Sequence, residues 1–307
     1  MSDAHAAPSA RARELVRGAF DLHVHIEPDL IGRRITDLEL AHRFRELGLA
    51  GFVLKSHYVP TAERAEVVRA AVPGVEALGA ITLNAGVGGL NAVAVEIAAR
   101  QGARIVWLPT VDSENEFVPD PALAGKQPLW REIQNQFTEL GISDEPVRVV
   151  ANGAVVPGLE RVLDVVARHD LVLATGHLGA DEIELVVEEA LARGVATVLV
   201  THPDYPTQDV SLEAQRSLAE RGALLERCFA PIYSGKVSWE QTIAAIRATG
   251  VEHNVLSTDL GQPKNPPVED GLALMADELL RAGFADEEIH WMAVANTRRL
   301  AQKPVHV

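Results

Sequence analysis

The sequence predicts a (β/α)8 barrel, an α/β fold of eight parallel strands, on two regularities and one absence. Short apolar runs alternate with segments whose apolar residues recur at three and four positions, and those segments stop near glycines. No glycine-rich phosphate turn follows the first apolar run, where the chain reads Asp21-Leu-His-Val-His-Ile-Glu. Strands joined by helical crossovers run parallel, and eight such units close most naturally on themselves. An open doubly wound sheet, the alternative, normally carries a phosphate turn after its first strand.

The eight strands are read at Ala19–His25, Gly51–His57, Ala77–Asn84, Ala103–Thr110, Leu171–His177, Ala196–His202, Ala223–Phe229 and His253–Asp259. Helical spacing is clear in Leu38, Ala41, Phe44 and Leu47, and again in Ile183, Val186, Val187, Ala190 and Leu191. Thr36 with Glu39, and Ser238 with Gln241, match the pattern of a capping box, while Gly48, Gly194, Gly222 and Gly250 stand where helices should stop. One interval breaks the rhythm. Val111–Pro146 holds prolines, acids and the aromatics Phe117, Trp130 and Phe137, and Val147–Val156 carries an Asn152-Gly153 turn that predicts a hairpin. The expectation is one barrel domain over 1–307, with 111–156 as an insertion and hairpin. That insertion reads equally as a cover over the active-site face, a subunit contact in a homo-oligomer, or a plain surface excursion.

Composition narrows the partners. Lys and Arg total 28 against 43 Asp and Glu, a formal charge of −15 that repels phosphate backbones and anionic membrane surfaces. Nucleic acid and membrane are therefore excluded as expected partners, and a small-molecule substrate is left. One cysteine, Cys228, cannot close an internal disulfide, the first 18 residues lack an apolar stretch of signal-peptide length, and no apolar run reaches the ~18 residues of a membrane span. The expected location is cytoplasmic.

The histidines carry the functional signal. His23 and His25 are two apart on strand one, so both point to one side of the sheet, the barrel interior. Five of the eleven histidines, His23, His25, His57, His177 and His202, fall at the ends of predicted strands, where chance would put fewer than ~1. Barrel strand ends converge on one face, so residues distant in sequence become neighbours there. Asp259 ends strand eight beside strand one. Imidazole and carboxylate donors suit zinc first, with manganese or iron as alternatives, and a carboxylate beside activated water can also move protons. His23, His25, His177, His202 and Asp259 are thus the expected ligands of one or two divalent ions. Asp259 is also the expected proton carrier, and His57 and Asn84, ending strands two and three, are candidates to orient substrate or stabilise an oxyanion.

Lys55 lies two residues before His57 on strand two and also points inward. A buried ammonium needs a partner or a chemical modification. Three readings stay open: a carbamate formed with CO2 that bridges two metal ions, an ion pair with Glu226 on strand seven, or a contact to an anionic substrate. Arg33, Arg34, Lys236 and Lys264 on loops, with Glu226, complete the candidate substrate contacts.

As an ordered set, His23-x-His25, Ala174-Thr-Gly-His177, Val200-Thr-His202-Pro and Ser257-Thr-Asp259 resemble the amidohydrolase superfamily. Asn296-Thr-Arg-Arg-Leu-Ala similarly resembles the asparagine-containing helix with which many of those enzymes end. The resemblance implies a mono- or binuclear site at which activated water attacks a carbonyl or phosphoryl centre, hydrolysing an amide, lactam, ester or related bond. It departs from the pattern at strand four, where relatives such as phosphotriesterase and dihydroorotase place a bridging lysine and this chain reads Trp107-Leu-Pro-Thr. Lys55 is the candidate replacement. A metal-dependent lyase or isomerase on the same barrel, and a non-catalytic metal-binding barrel, are the alternatives.

Overall fold

A computed structural model of the protein describes residues 7–117, 128–142 and 145–302. One sheet contains eight strands: β1 Phe20–Val24, β2 Gly51–Leu54, β3 Glu76–Thr82, β4 Ala103–Trp107, β5 Val172–Ala174, β6 Thr197–Val200, β7 Leu224–Cys228 and β8 Asn254–Ser257. They neighbour one another in sequence order, and the registered pairs β1/β2, β2/β3, β4/β5, β5/β6 and β7/β8 are all parallel. This is the (β/α)8 class that the sequence predicts. Every residue of β1, β2, β4, β5, β7 and β8 is buried, as expected where both faces of a parallel sheet are covered.

The strands are shorter than predicted at their C-terminal ends. The sequence carries them to His25, His57, His177, His202 and Asp259, but the ladder stops one to three residues earlier in each case. Backbone conformation accounts for part of this. Gly176, His202 and Asp259 have φ of 65°, 27° and 52°, left-handed values through which an extended ladder cannot continue. The polar residues therefore stand on the first residues of the loops, aimed by the strands but free of their pleat.

Helices begin and end as their signals imply. Thr36 and Glu39 form a reciprocal capping box ahead of Asp37–Leu47, which ends on Gly48 at φ 72°, a conformation glycine adopts without penalty. Ser238 Oγ accepts from Gln241 N, 3.0 Å away, at the start of Trp239–Thr249. Helix Ala180–Ala192 buries Ile183, Val186, Val187 and Ala190 on one stripe. Among the described residues no helix is long and apolar enough to cross a membrane.

The chain forms two compact units. The first comprises the described residues of Met1–Lys55, Glu63–Gly79 and Leu225–Val307, with a core of Val24, Ile26, Phe44, Phe52, Leu256 and Met275 among others. Within it the end of β8 returns to β1. Asp259 N donates to His23 O and His25 N to Leu260 O, both at 2.8 Å, and Val24 pairs in parallel with Leu260. Asp21 on β1 reinforces this seam: its carboxylate accepts from Thr258 Oγ1 at 2.6 Å and Thr258 N at 3.0 Å. Burial pushes the Asp21 carboxyl up to about 7, against the pull of those hydrogen bonds. Asn296, on the helix Asn296–Ala301, donates to Asn254 O at the start of β8.

The second unit, Ser56–Ala62 with Ala80–Leu224, holds the end of β3 and all of β4, β5 and β6. Buried Leu159, Val162, Ile183, Val186 and Leu173 belong to it. The irregular interval also falls here. Its described part forms helices Glu114–Phe117 and Leu129–Glu139, then the predicted hairpin, Val150–Ala151 against Ala154–Val155. Asn152 and Gly153 have φ of 54° and 76°, the two left-handed residues that such a tight turn requires. Residues 118–127 and 143–144 of the predicted insertion lie outside the described residues.

The β8–β1 seam yields a test of this geometry. Gly261 has φ of 132°, and a Cβ there would overlap the carbonyl oxygen of His25. Gly261→Ala is expected to destabilise the protein by on the order of 2–4 kcal/mol, measured by denaturant unfolding. Wild-type stability in that variant would contradict the seam.

Candidate metal centre

The first unit brings three donors together. His23 and His25, buried on and just beyond β1, turn their Nε2 atoms toward Asp259, which the seam holds past the end of β8. Asp259 Oδ1 lies 3.2 Å from His23 Nε2 and 3.1 Å from His25 Nε2, and the three atoms lie within 4.8 Å of one another. Two donors each ~2.0–2.2 Å from one ion, ~90–110° apart at it, are themselves ~2.8–3.6 Å apart. The spacing and the nitrogen and oxygen donor set therefore fit a divalent ion.

Protonation follows from the surroundings. Burial, then the charge of Arg33, pushes His25 well below the usual histidine range, leaving it neutral as a ligand must be. Burial and Lys55 oppose the charged form of His23, yet the carboxylates of Asp259 and Glu226 outweigh them and raise it. Burial alone would raise Asp259, but His23 and His25 hold it well below the usual carboxylate range. A net attraction for positive charge results at Asp259 Oδ1 and His23 Nε2.

Glu226 on β7 takes a different place from the substrate contact that the sequence suggested. Its carboxylate is fully buried, with oxygens 3.2 and 3.3 Å from His23 Nδ1. A carboxylate only accepts, so Nδ1 carries the proton and the lone pair of neutral His23 is on Nε2. Cys228 Sγ lies 3.7 Å from the same Nδ1, so His23, Glu226 and Cys228 form a second candidate ligand group. Both groups share His23, however, and a neutral imidazole has one lone pair. Glu226 turns that lone pair toward Asp259, which favours the first group.

Lys55, immediately after β2, puts Nζ 2.8 Å from His23 Nε2. Burial lowers its pKa, against the charges of Asp259 and Glu226. Arg33 is also at the centre: its side chain is 4% exposed, Nε is 2.7 Å from Asp29 Oδ2, and Nη2 is 3.4 Å from His25 Nδ1. Arg34 points elsewhere, donating to Pro263 O and Asn265 O and so stapling the loop after β1 to the one after β8. Lys264 is exposed on that latter loop, and Lys236 is half-buried beyond the short helix Phe229–Tyr233.

The remaining predicted residues form a cluster in the second unit. His177 and His202 have ring centroids 5.2 Å apart, and His57 lies 6.0 Å from His177. Paired threonines align the two loops: Thr175 Oγ1 accepts from Thr201 N, and Thr201 Oγ1 from Gly176 N. Asn84 is engaged by protein at both ends of its amide. Nδ2 donates to His57 O and Thr110 Oγ1, while Oδ1 accepts from Thr110 N and, at 3.3 Å, Asp112 N. It ties together the ends of β2, β3 and β4, and His57 Nδ1 shares Thr110 Oγ1 at 2.8 Å. Sequence reasoning missed Glu116, whose Oε1 lies 3.0 Å from His177 Nδ1. Nothing marks it among the neighbouring acids Asp112 and Glu114, because burial after an irregular segment leaves no periodic trace.

Comparison with known proteins places this geometry. Residues 18–226 match the profile described as Family of unknown function (DUF6282). Comparison with curated protein sequences finds no match. Similar solved structures include an amidohydrolase from Pseudomonas aeruginosa (13% identity, TM-score 0.61, covering 94% of this chain and 98% of that one). A metallo peptidase from Rhodobacter sphaeroides, liganded with a phosphinate mimic of the dipeptide L-Ala-D-Ala, is 14% identical (TM-score 0.57, 93% and 98%). A putative 2-pyrone-4,6-dicarboxylic acid hydrolase from Pseudomonas putida is 15% identical (TM-score 0.57, 92% and 97%). At these identities the fold is what is shared, and it bears out the (β/α)8 barrel.

The arrangement around His23 gives Glu226 a measurable role. Glu226→Gln is expected to weaken binding of Zn2+ by roughly 10–100-fold, measured by isothermal titration, with an unchanged circular dichroism spectrum. Undiminished affinity would mean that Glu226 does not orient the ring.

Proposed function

Since the chain belongs to the Family of unknown function (DUF6282), which hands down no activity, we propose from the site itself that the protein is a metal-dependent hydrolase of small molecules. The observation that carries this reading is the convergence of His23 Nε2, His25 Nε2 and Asp259 Oδ1 at ligand-to-ligand spacing. A divalent cation, zinc first with manganese or iron behind it, would supply Lewis acidity there, activating water and polarising an amide, lactam, ester or related bond. His23 and His25 would hold that charge in place, and Glu226 keeps His23 in its ligating tautomer. Asp259 has 20% of its side chain exposed against 3% or less for the two histidines, so it is the group within reach of water. It takes the proton from the attacking water and returns it to the leaving group.

Arg33 supports an anionic substrate. Ligation through His25 Nε2 leaves the proton on Nδ1, where the guanidinium of Arg33 can no longer donate. Its Nη2 is then available to a carboxylate, while Asp29 keeps hold of Nε. The resemblance to a dicarboxylic acid hydrolase agrees with this choice.

Lys55 supports a second ion. Burial favours its neutral amine, the form that attacks CO2: a nitrogen–carbon bond forms, the amine loses a proton, and the resulting carbamate offers two oxygens beside His23.

Metal analysis of the purified protein should find one or two divalent ions per chain, chelation should abolish hydrolysis of activated esters, lactams or phosphotriesters, and Asp259→Asn should lower kcat by on the order of 10²–10⁴. Product carrying solvent 18O is the signature of hydrolysis, and a product without it would replace the reading by the lyase or isomerase. Arg33→Met should raise KM more than it lowers kcat, and unchanged kinetics would remove the anionic substrate. Lys55→Ala should lose one ion and most activity, with partial rescue by a short carboxylic acid, whereas retention of both ions would exclude a bridging carbamate.

A further inference from the structure

The loop that carries Arg33 is held from behind by a second arginine. Past His25 the chain leaves the sheet and folds back on itself. Glu27 N donates to Ile35 O and Asp37 N to Glu27 O, both at 3.0 Å, which closes residues 28–34 into a loop. Within it, Glu27 Oε1 accepts from Arg33 N at 3.1 Å and Asp29 Oδ2 from Arg33 Nε at 2.7 Å, so Glu27 and Asp29 fix where the Arg33 guanidinium stands. Arg64, on the helix Ala62–Ala71 after β2, fixes the backbone that bears them. Its Nη1 donates to Pro28 O at 2.7 Å, and its Nη2 to Ile26 O at 3.0 Å and Glu27 O at 2.5 Å. Its Nε donates at 2.7 Å to Asp37 Oδ2, on the far side of the loop's neck. The Arg64 side chain is 19% exposed and Asp37 balances its charge. Three successive carbonyls and the start of the next helix thus meet in one planar fork, which a single ammonium could not span.

We propose that Arg64 is a positioning residue for anion binding: by fixing residues 26–28 it sets Glu27 and Asp29, and through them aims the Arg33 guanidinium at a substrate carboxylate. The inference rests on the reading of Arg33 as the anion contact, whereas the grip on the loop is a property of Arg64 itself.

The test uses the full chain loaded with Zn2+ and succinate as the probe anion, with affinity read by isothermal titration and the loop by hydrogen exchange with mass spectrometry. Arg64→Met should weaken succinate binding by about 10-fold and speed exchange across 26–36 by about 10-fold or more. Arg64→Lys, which returns the charge without the fork, should bind no better than Arg64→Met, and it is read alone if Arg64→Met fails to fold. Because Arg64 acts through Arg33, the double variant Arg33→Met/Arg64→Met should bind no more weakly than Arg33→Met. Wild-type succinate affinity in Arg64→Met, full recovery with lysine, or losses that add in the double variant would overturn the role of Arg64 and leave that of Arg33 standing. Absence of succinate binding in wild type, or binding that survives Arg33→Met, would instead remove the anion contact and this proposal with it.

Discussion

A neutral imidazole has a single lone pair, and the candidate centre depends on where that of His23 points. Glu226, buried and able only to accept, holds the proton on Nδ1 and directs the lone pair toward Asp259. With the proton on Nε2 instead, the lone pair on Nδ1 would face Glu226 and Cys228, and the pairing with His25 would be lost. The direction of one proton thus selects between two ligand groups built from the same residue. It also explains the position of Lys55, whose amine lies against the nitrogen that a cation would use.

This arrangement depends on the return of β8 to β1. Asp259 reaches the histidines because its own N–H bonds the carbonyl of His23 and because Leu260 pairs with Val24 and bonds His25. The backbone turns left-handed at Asp259 to do so, and the glycine two residues on passes closer to His25 than any side chain allows. Strain of this kind persists where surrounding structure over-determines it, and the bonds from Thr258 to Asp21 supply that support next to the site.

The second unit also sets a histidine near a buried carboxylate. His177 faces a buried carboxylate through Nδ1, its loop is aligned by paired threonines, and Asn84 spends its whole amide on holding neighbouring strand ends. In both units a histidine that the chain pattern marks lies beside a buried acid from a distant part of the chain. Arg33 and Arg34 differ in their partners. They are adjacent in sequence, yet one guanidinium lies against His25 and the other staples two loops.

By itself the sequence determined the alternation of strand and helix, the sequential parallel sheet, the caps at Thr36 and Gly48, the Asn152-Gly153 hairpin, and His23, His25 and Asp259 as neighbours. These are legible because each depends on local chemistry or on a repeat: apolar periodicity, turn residues, and two histidines two apart on one strand face. The strand ends were read one to three residues too long, because left-handed residues such as His202 and Asp259 look like any polar strand terminus in a sequence. Only the tertiary structure decided that Glu226 bonds His23, that Glu116 lies beside His177, that Arg33 and not Arg34 reaches the centre, and that Asn84 is occupied. Those roles come from buried contacts between residues up to some two hundred positions apart, and a hydrogen bond to a distant side chain leaves no period in the chain from which it could be read.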